Sequence, residues 1–350
     1  MSKSQLAEFS ETLDAGRDLG VDECSAAALA LASSAASAAE KERFLLAFAA
    51  KGETGPEVGA FAATFRTLAR DPGVADWADR AIDVCGTGGD GQGTFNVSTV
   101  VALILAAAGV PVFKHGNRSI TSRCGSADLL HALGVPLEMD DELARRSLDE
   151  LNFVFFFAPA YHPAFKEIMP VRKALAERGQ RTVFNILGPL INPGRPAHQL
   201  MGVFAENWTA PLAEALDGLG LAGGFVVHGR LPSGAGMDEM SCATENRTVG
   251  FGAFRGRDEF WRSDRHGLTE CSPDELAGGD LDANIRLFSA ILGGEAPPGL
   301  IASILLNAAF AFHIQGRVDS VEAGIELARE QLLGGAVEAL CGRLKDFYSK

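Results

Sequence analysis

Apolar residues in the first 75 positions recur at the spacing of amphipathic helices. Phe44 and Phe48 are four residues apart, and so are Phe61 and Phe65. Side chains at this separation lie on one face of a helix. The segment between the two pairs contains Thr54, a residue type that caps helices. This part of the chain is therefore predicted to form several short helices without strands.

From about residue 80, short apolar runs alternate with longer helical stretches. The runs lie at 82–85, 111–113, 153–157 and 225–228, and the pattern is helical again from about residue 281. Alternation of strands and helices is typical of a mostly parallel sheet covered by helices. The 350 residues can build one large core together with a smaller satellite domain. We therefore predict an α/β fold in two unequal parts.

The charge and cysteine content narrow the possible functions. A net charge of −14 argues against partners that are themselves anionic, so neither nucleic acid nor a membrane surface is expected. The six cysteines form no C-x-x-C pair, which is typical of reduced thiols in a cytosolic enzyme. The first residues lack the features of a signal peptide, and the longest apolar run, near 100–112, is too short to span a bilayer. These features predict a soluble cytoplasmic protein.

A glycine-rich turn follows the first predicted strand. It reads GTGGDGQGTFNVST from Gly86, and a buried helix is expected after it. Such a turn exposes backbone N–H groups, and the positive end of the next helix adds to them, so a phosphate or diphosphate is the expected ligand. Gly86, Gly88 and Gly91 also match the dinucleotide-binding pattern G-x-G-x-x-G.

The end of the next predicted strand bears on this choice. A dinucleotide-binding fold needs an acidic residue there for the ribose. The chain has instead a basic segment, Lys114-His115-Gly116-Asn117-Arg118. Cationic side chains suit phosphates, although an NADP-binding protein can also use them. The alternatives at this stage are a phosphate-binding enzyme, a nicotinamide-dependent oxidoreductase, and a glycine turn with no ligand.

Five segments together carry a pattern more specific than any single motif. They read GTGGDGQGTFNVST, KHGNRSITSRCGSADLLHALG, FFFAPAYHPAFK, PVRKALAERGQRTVFNILGPLINP and GMDEMS. In this order they resemble the anthranilate phosphoribosyltransferase family of tryptophan biosynthesis. The resemblance implies a small helical domain, 1–75 with about 165–190 returning to it, hinged to an α/β domain, 76–164 and 191–350. It also implies a homodimer formed through the helical domains.

The resemblance further implies ligands and site residues. Phosphoribosyl diphosphate and anthranilate are the implied substrates, and Mg²⁺ is the implied cofactor. Lys114, His115 and Arg172 are the candidate catalytic residues. Gly86, Asn117 and Arg172 would bind anthranilate, and Ser98, Asp238 and Glu239 would bind Mg²⁺. The implied phosphoribosyl diphosphate site consists of Gly86, Gly89, Asp90, Thr94, Asn96, Val97, Ser98, Thr99, Lys114, His115, Gly116, Asn117, Arg118, Ser119, Ile120, Thr121, Ser122 and Ser126.

The reaction explains why these residue types are needed. Diphosphate leaves the anomeric carbon with several negative charges, which magnesium, Lys114 and turn N–H groups can stabilise. The amine of anthranilate is weakly basic and loses its proton easily after attack, so no strong general base is required. Arg172 offers a planar fork for the substrate carboxylate. A structural role is the alternative for His115 and for His162. For Ser126 the alternative is the role of a helix cap.

Two departures from the family pattern and one further alternative complete the prediction. Arg123 stands where lysine is common. The stretch 230–236 is longer than usual, so the loop that carries Asp238 and Glu239 is expected to be displaced. A non-catalytic or nucleic-acid-binding relative would show a basic surface and no arginine at the position of Arg172, and this acidic chain has neither feature.

Overall fold

The computed structural model describes residues 4–118, 123–231 and 233–349. The α-helices are α1 (Gln5–Asp14), α2 (Val21–Ala32), α3 (Ala38–Lys51), α4 (Gly55–Leu68), α5 (Ala75–Ala78), α6 (Val97–Ala107), α7 (Ser126–Ala132), α8 (Asp141–Leu151), α9 (Ala158–Tyr161), α10 (Met169–Glu177), α11 (Thr209–Gly218), α12 (Leu281–Leu292), α13 (Pro298–Ile314), α14 (Val321–Leu333) and α15 (Ala336–Tyr348). The strands are β1 (Ile82–Gly86), β2 (Val112–Gly116), β3 (Phe153–Phe157), β4 (His198–Gly202), β5 (Gly223–Arg230), β6 (Gly236–Met237), β7 (Glu245–Gly252) and β8 (Asp258–Trp261).

The N-terminal segment is helical, as the spacing of its apolar residues predicts. Thr54 caps α4: its side chain accepts a hydrogen bond from the backbone N–H of Glu57 at 3.5 Å. The Glu57 carboxylate accepts one in return from the Thr54 N–H at 2.9 Å. Each side chain thus satisfies a backbone donor that has no partner within the helix. None of the helices within the described residues combines the length and apolar character needed to cross a membrane.

The strands form one sheet in the order β3-β2-β1-β4-β5-β7-β8, with β6 paired to β5. The first five strands in this order are parallel, and the pairs of β5 with β6, β5 with β7, and β7 with β8 are antiparallel. The predicted α/β class with a mostly parallel central sheet covered by helices is therefore confirmed. Strands β4, β6, β7 and β8 are additional to the four that the apolar runs predict.

Both faces of the sheet are covered by helices. Side chains on a strand alternate between its two faces. In β1, Ile82 and Val84 join a core that includes α6 and α13. On the other face, Met201 of β4 and Val226 of β5 pack with apolar residues of α1–α4 and α11. A third, smaller core covers β2 and β3 on that second face and includes Trp77.

The strand order reverses direction between β1 and β4. From β1 the chain proceeds outward to β2 and β3, whereas β4 lies on the opposite side of β1 and leads to β5. Open α/β sheets bind their ligands beyond the carboxyl ends of the strands at such a reversal. The turns after β1 and β4 are therefore expected to border the ligand site.

Candidate active site

A cleft of about 1250 Å³ lies at the carboxyl ends of β1, β2 and β4. The glycine turn after β1 forms one wall. Gly88, Gly89, Gly91 and Gly93 adopt φ values from 66° to 78°, a region that side chains other than glycine rarely enter. Glycines in this region allow a turn to present backbone N–H groups to an anion.

Helix α6 begins directly after this turn. Its residue Ser98 lies beside Lys114 of β2, with 3.1 Å between Lys114 Nζ and Ser98 Oγ. Lys114 Nζ also donates to the carbonyl oxygen of Val84 at 2.5 Å. The Lys114 side chain is only 2% exposed. Burial lowers the pKa of Lys114 from its usual value, and the negative charge of Asp83 opposes this effect.

Lys114 and His115 point to opposite faces of β2, because successive side chains on a strand alternate. Lys114 faces α6 and the glycine turn. His115 faces His162, with 3.2 Å between the two Nε2 atoms. Burial lowers the pKa of His162 to about 4 and places that of His115 well below its usual value. The two rings are therefore neutral near pH 7, and one Nε2–H donates to the other Nε2.

The acidic segment after β6 reaches back to the glycine turn. Asp238 Oδ2 accepts a hydrogen bond from the Gly88 N–H at 2.6 Å. Gly86 permits this approach, since a Cβ atom on it would lie 2.2 Å from the same oxygen. The pairing of Gly236 and Met237 with β5 directs the chain back over the ends of β1 and β4. The displacement expected from the long 230–236 stretch stays a prediction.

The carboxylates at this point form a site suited to a hard cation. Burial raises the pKa of Asp238 and of Glu239, and the nearby charge of Asp90 adds to both shifts. Glu239 Oε1 is buried without a hydrogen-bond partner. A divalent cation would neutralise these charges and satisfy that oxygen. No three His, Cys, Asp or Glu side chains of the described ranges form a complete metal site, so oxygens from Ser98, ligand and water would have to contribute.

Arg172 of α10 lies on the opposite wall of the cleft. Its guanidinium carbon is 5.2 Å from the centre of the Phe184 ring and 5.7 Å from that of Phe165. Its Nη2 donates to the Phe184 carbonyl oxygen at 3.3 Å. Burial lowers the pKa of Arg172. A partly buried guanidinium beside aromatic rings fits a planar aromatic carboxylate, because it offers a charge-assisted fork next to flat apolar surfaces.

Sequence comparison places the whole chain among enzymes of one kind. The model of the glycosyl transferase family, a/b domain, matches residues 78–338. Anthranilate phosphoribosyltransferase of Persephonella marina is 39% identical over 345 residues, which cover 99% of both chains. The enzyme of Thermus thermophilus is 43% identical over 305 residues, covering 87% of this chain and 88% of that one. This chain belongs to the anthranilate phosphoribosyltransferase family.

Solved structures agree with this family. The crystal structure of anthranilate phosphoribosyltransferase from Thermus thermophilus superposes with a TM-score of 0.88 at 39% identity, covering 98% of this chain and 99% of that one. The fold is shared with the Saccharomyces cerevisiae anthranilate phosphoribosyltransferase in complex with PRPP and Mg, at a TM-score of 0.85, 23% identity and 99% coverage of both chains. Membership of the family decides against the dinucleotide-binding interpretation of the glycine pattern.

Most residues expected from the anthranilate phosphoribosyltransferase pattern line this one cleft. Those that do are Gly86, Gly89, Asp90, Thr94, Asn96, Val97, Ser98, Lys114, His115, Gly116, Asn117, Arg118, Ser126, Arg172, Asp238 and Glu239. Thr99 does not line it, because its place on α6 directs the side chain into the core, where it is fully buried. Ser119, Ile120, Thr121 and Ser122 lie outside the described residues.

The alternative role of Ser126 as a helix cap is wrong by one residue. Helix α7 begins at Ser126, and Gly125 is its cap. The Gly125 N–H donates to Asp128 Oδ2 at 3.0 Å, so Asp128 satisfies the backbone there. Ser126 Oγ instead lies next to Gly116, where an added Cβ would be 2.4 Å from it. The hydroxyl is therefore at the edge of the cleft, close to the end of β2.

The prediction omits several residues of the cleft, and three of these make contacts that help to build its walls. Arg181 donates from Nη2 to the Gly89 carbonyl oxygen at 2.7 Å. Phe204, after β4, lies beneath that guanidinium, and Asn284 of α12 donates to Asn96 Oδ1 at 3.0 Å. The segment RGQRTVFN contains Arg181, so a second arginine close to Arg172 was available as a signal. Nothing in the sequence near Phe204 or Asn284 points to the cleft.

Proposed function

We propose that this protein transfers the phosphoribosyl group of phosphoribosyl diphosphate to the amine of anthranilate, as a step of tryptophan biosynthesis. The products are N-(5-phosphoribosyl)anthranilate and diphosphate. The observation that carries the proposal is the meeting of Lys114, Ser98 and Asp238 at one glycine turn, opposite Arg172. The sequence relatives bear the name of this activity over nearly the whole chain.

We assign the diphosphate end of the donor to the glycine turn and Lys114. The turn supplies N–H groups, and Lys114 supplies a positive charge that its hydrogen bonds to Val84 and Ser98 hold in place. As the bond from the anomeric carbon to the diphosphate oxygen breaks, its electron pair moves to that oxygen. Donors that are already oriented stabilise the developing charge without further reorganisation.

We assign the acceptor to the wall formed by Arg172 and Phe184. The arginine would hold the carboxylate of anthranilate while the Phe184 ring contacts its aromatic face. The amine nitrogen then forms the new bond to the anomeric carbon and loses its proton to water. Orientation of the two substrates is the main contribution of this wall to the rate.

We propose that Mg²⁺ binds through Ser98, Asp238 and Glu239. The buried, unpaired Oε1 of Glu239 and the hard oxygen ligands support this assignment. When bound, the ion would supply positive charge to the departing diphosphate. The chain's own residues hold the carboxylates in position: the Gly88 N–H orients Asp238, and Asp90 Oδ2 accepts from the Asp238 N–H at 3.4 Å.

We also propose the division into a helical part, 1–75 with about 165–190, and an α/β part, 76–164 with 191–350. A homodimer through the helical part is supported by Val21 and Leu29 of α2, which are 65% and 50% exposed. Location in the cytoplasm is supported by the six cysteines, all within the described residues, of which none forms a disulfide.

The fluorescence of anthranilate gives a direct test. The purified protein should consume anthranilate when phosphoribosyl diphosphate and Mg²⁺ are both present, and a chelator should stop the reaction. An Asp238→Ala, Glu239→Ala double variant should lose most of its turnover and need more Mg²⁺ than the wild type. No magnesium-dependent loss of fluorescence, together with tight binding of NADP in calorimetry, would refute the proposal.

A further inference from the structure

Arg181 connects the acceptor wall to the glycine turn. It lies between α10 and the 3-10 helix Val183–Asn185, in the same segment as Arg172 and Phe184. Its Nη2 donates to the carbonyl oxygen of Gly89 at 2.7 Å. Its guanidinium carbon lies 3.9 Å from the centre of the Phe204 ring, within the range of a cation–π contact.

Phe204 is itself tied to the same turn. Its backbone N–H donates to Thr87 Oγ1 at 3.1 Å, and the Thr87 N–H donates to the Gly202 carbonyl oxygen at 2.9 Å. Arg181 therefore holds the turn directly at Gly89 and indirectly, through Phe204, at Thr87. The residue that follows Arg181 is also held in place, because the Thr182 N–H donates to Asn185 Oδ1 at 2.8 Å.

These contacts restrict the conformational freedom of the glycine-rich turn. Glycine loses more conformational freedom on ordering than any other residue, so a ligand that must order such a turn binds less tightly. In a trans peptide the carbonyl and the next N–H point in opposite directions. Holding the Gly89 carbonyl on Arg181 therefore also sets the direction of the Asp90 N–H. The positive charge of Arg181 beside the turn favours an anionic ligand as well.

We propose that Arg181 is a positioning residue for the donor: it orders the glycine turn before phosphoribosyl diphosphate binds. This inference rests on the proposed function. Changes at Arg181 should therefore alter the affinity for the donor, although the residue lies in the same chain segment as the acceptor wall. Arg172 would govern the acceptor, and Arg181 would govern the donor.

The test compares Arg181→Met, Arg181→Lys and Phe204→Leu with a matched control, Arg178→Met. Arg178 lies three residues earlier and pairs with Glu42 of α3 at 2.8 Å, away from the turn. The KM for each substrate and kcat would be measured with saturating Mg²⁺. Binding of phosphoribosyl diphosphate with Mg²⁺ would be measured by calorimetry, which does not depend on turnover.

Loss of a hydrogen bond from a charged donor should raise the KM and the Kd for phosphoribosyl diphosphate about tenfold in Arg181→Met. The KM for anthranilate should stay within about twofold. Arg181→Lys should give an intermediate value, because it keeps the charge but loses the planar fork, and Phe204→Leu should resemble it. Arg178→Met should bind the donor as the wild type does.

Three results would overturn the inference. They are equal donor affinity in Arg181→Met and the wild type, the same loss in Arg178→Met, and a change confined to the KM for anthranilate. A lower melting temperature with unchanged donor binding would count as the first of these. If the wild type binds the donor but does not consume anthranilate, the proposed function fails, and the calorimetric comparison still decides the role of Arg181.

Discussion

Gly202, the last residue of β4, lies against the acidic segment that we assign to Mg²⁺. A Cβ atom on Gly202 would be 1.6 Å from the backbone oxygen of Asp238 and 3.0 Å from the backbone nitrogen of Glu239. Gly202 does not have a positive φ, so alanine would bring no backbone strain of its own. Gly202→Ala is therefore a purely steric change directed at the backbone of Asp238.

The size of the effect follows from the contact. A Cβ atom almost never lies within 3.0 Å of another heavy atom, so Asp238 and β4 must separate by about 1.4 Å. A displacement of about 1 Å in a catalytic group lowers rates by about 100-fold, or about 2.7 kcal/mol of transition-state stabilisation. Overpacking of this kind also costs about 1–3 kcal/mol of folding stability. We expect both losses in Gly202→Ala.

Gly218→Ala provides the matched control. Gly218 is the last residue of α11, it has no positive φ, and nothing lies within 4 Å of a Cβ placed on it. This variant should keep wild-type kinetics and stability, or gain a little stability. The assay is anthranilate consumption against Mg²⁺ concentration, with urea unfolding in parallel. Gly202→Ala with kcat/KM within twofold of the wild type would refute the placement of the acidic segment against β4.

Two further predictions concern the acceptor wall and the histidine pair. Arg172→Lys should raise the KM for anthranilate about tenfold and leave the KM for phosphoribosyl diphosphate nearly unchanged, because lysine keeps the charge but loses the planar fork. Equal effects on both KM values in steady-state kinetics would contradict this expectation. His162 has a folded pKa of about 4, below its unfolded value of 6.5. Below pH 6.5 the unfolded chain therefore binds more protons at this residue than the folded chain does. The contribution of neutral His162 to the free energy of unfolding is complete above that pH and is lost as the pH falls toward 4. By pH 5 the loss of stability should reach about 2 kcal/mol in urea unfolding. A His162→Gln variant should show little of this pH-dependent loss, and a variant with the wild-type pH dependence would contradict the role of His162.

Local sequence predicts those strands that are continuous apolar runs. The bounds of β3 are those of the run 153–157, because every residue there is aromatic or aliphatic. Strand β4 is missed because it begins with the polar residues His198 and Gln199. Gln199 is buried nonetheless, since its amide donates to the Pro189 carbonyl oxygen at 2.8 Å. Strands β7 and β8 mix polar and apolar residues, and their antiparallel pairing depends on neighbours in the sheet, which local patterns do not reveal.

The same distinction holds for the cleft. The glycine turn and Lys114 are predictable because each is a short motif whose chemistry is contained in a few adjacent residues. Arg181 contacts Gly89 across 92 residues of sequence, and Asn284 contacts Asn96 across 188. Contacts of this length are made by the fold as a whole. Asp238 is predicted from its place after the apolar run 225–228 and within the family pattern.

The far end of the glycine turn depends on chain that is synthesised much later. The Phe95 N–H donates to the Leu276 carbonyl oxygen at 2.9 Å, the Gly278 N–H donates to the Gly93 carbonyl oxygen at 2.9 Å, and Asn284 follows shortly after. A nascent polypeptide that ends before residue 276 contains the turn, Lys114 and Arg172 but none of these partners. On the ribosome, the substrate cleft is therefore completed only after the segment 276–284 has been made.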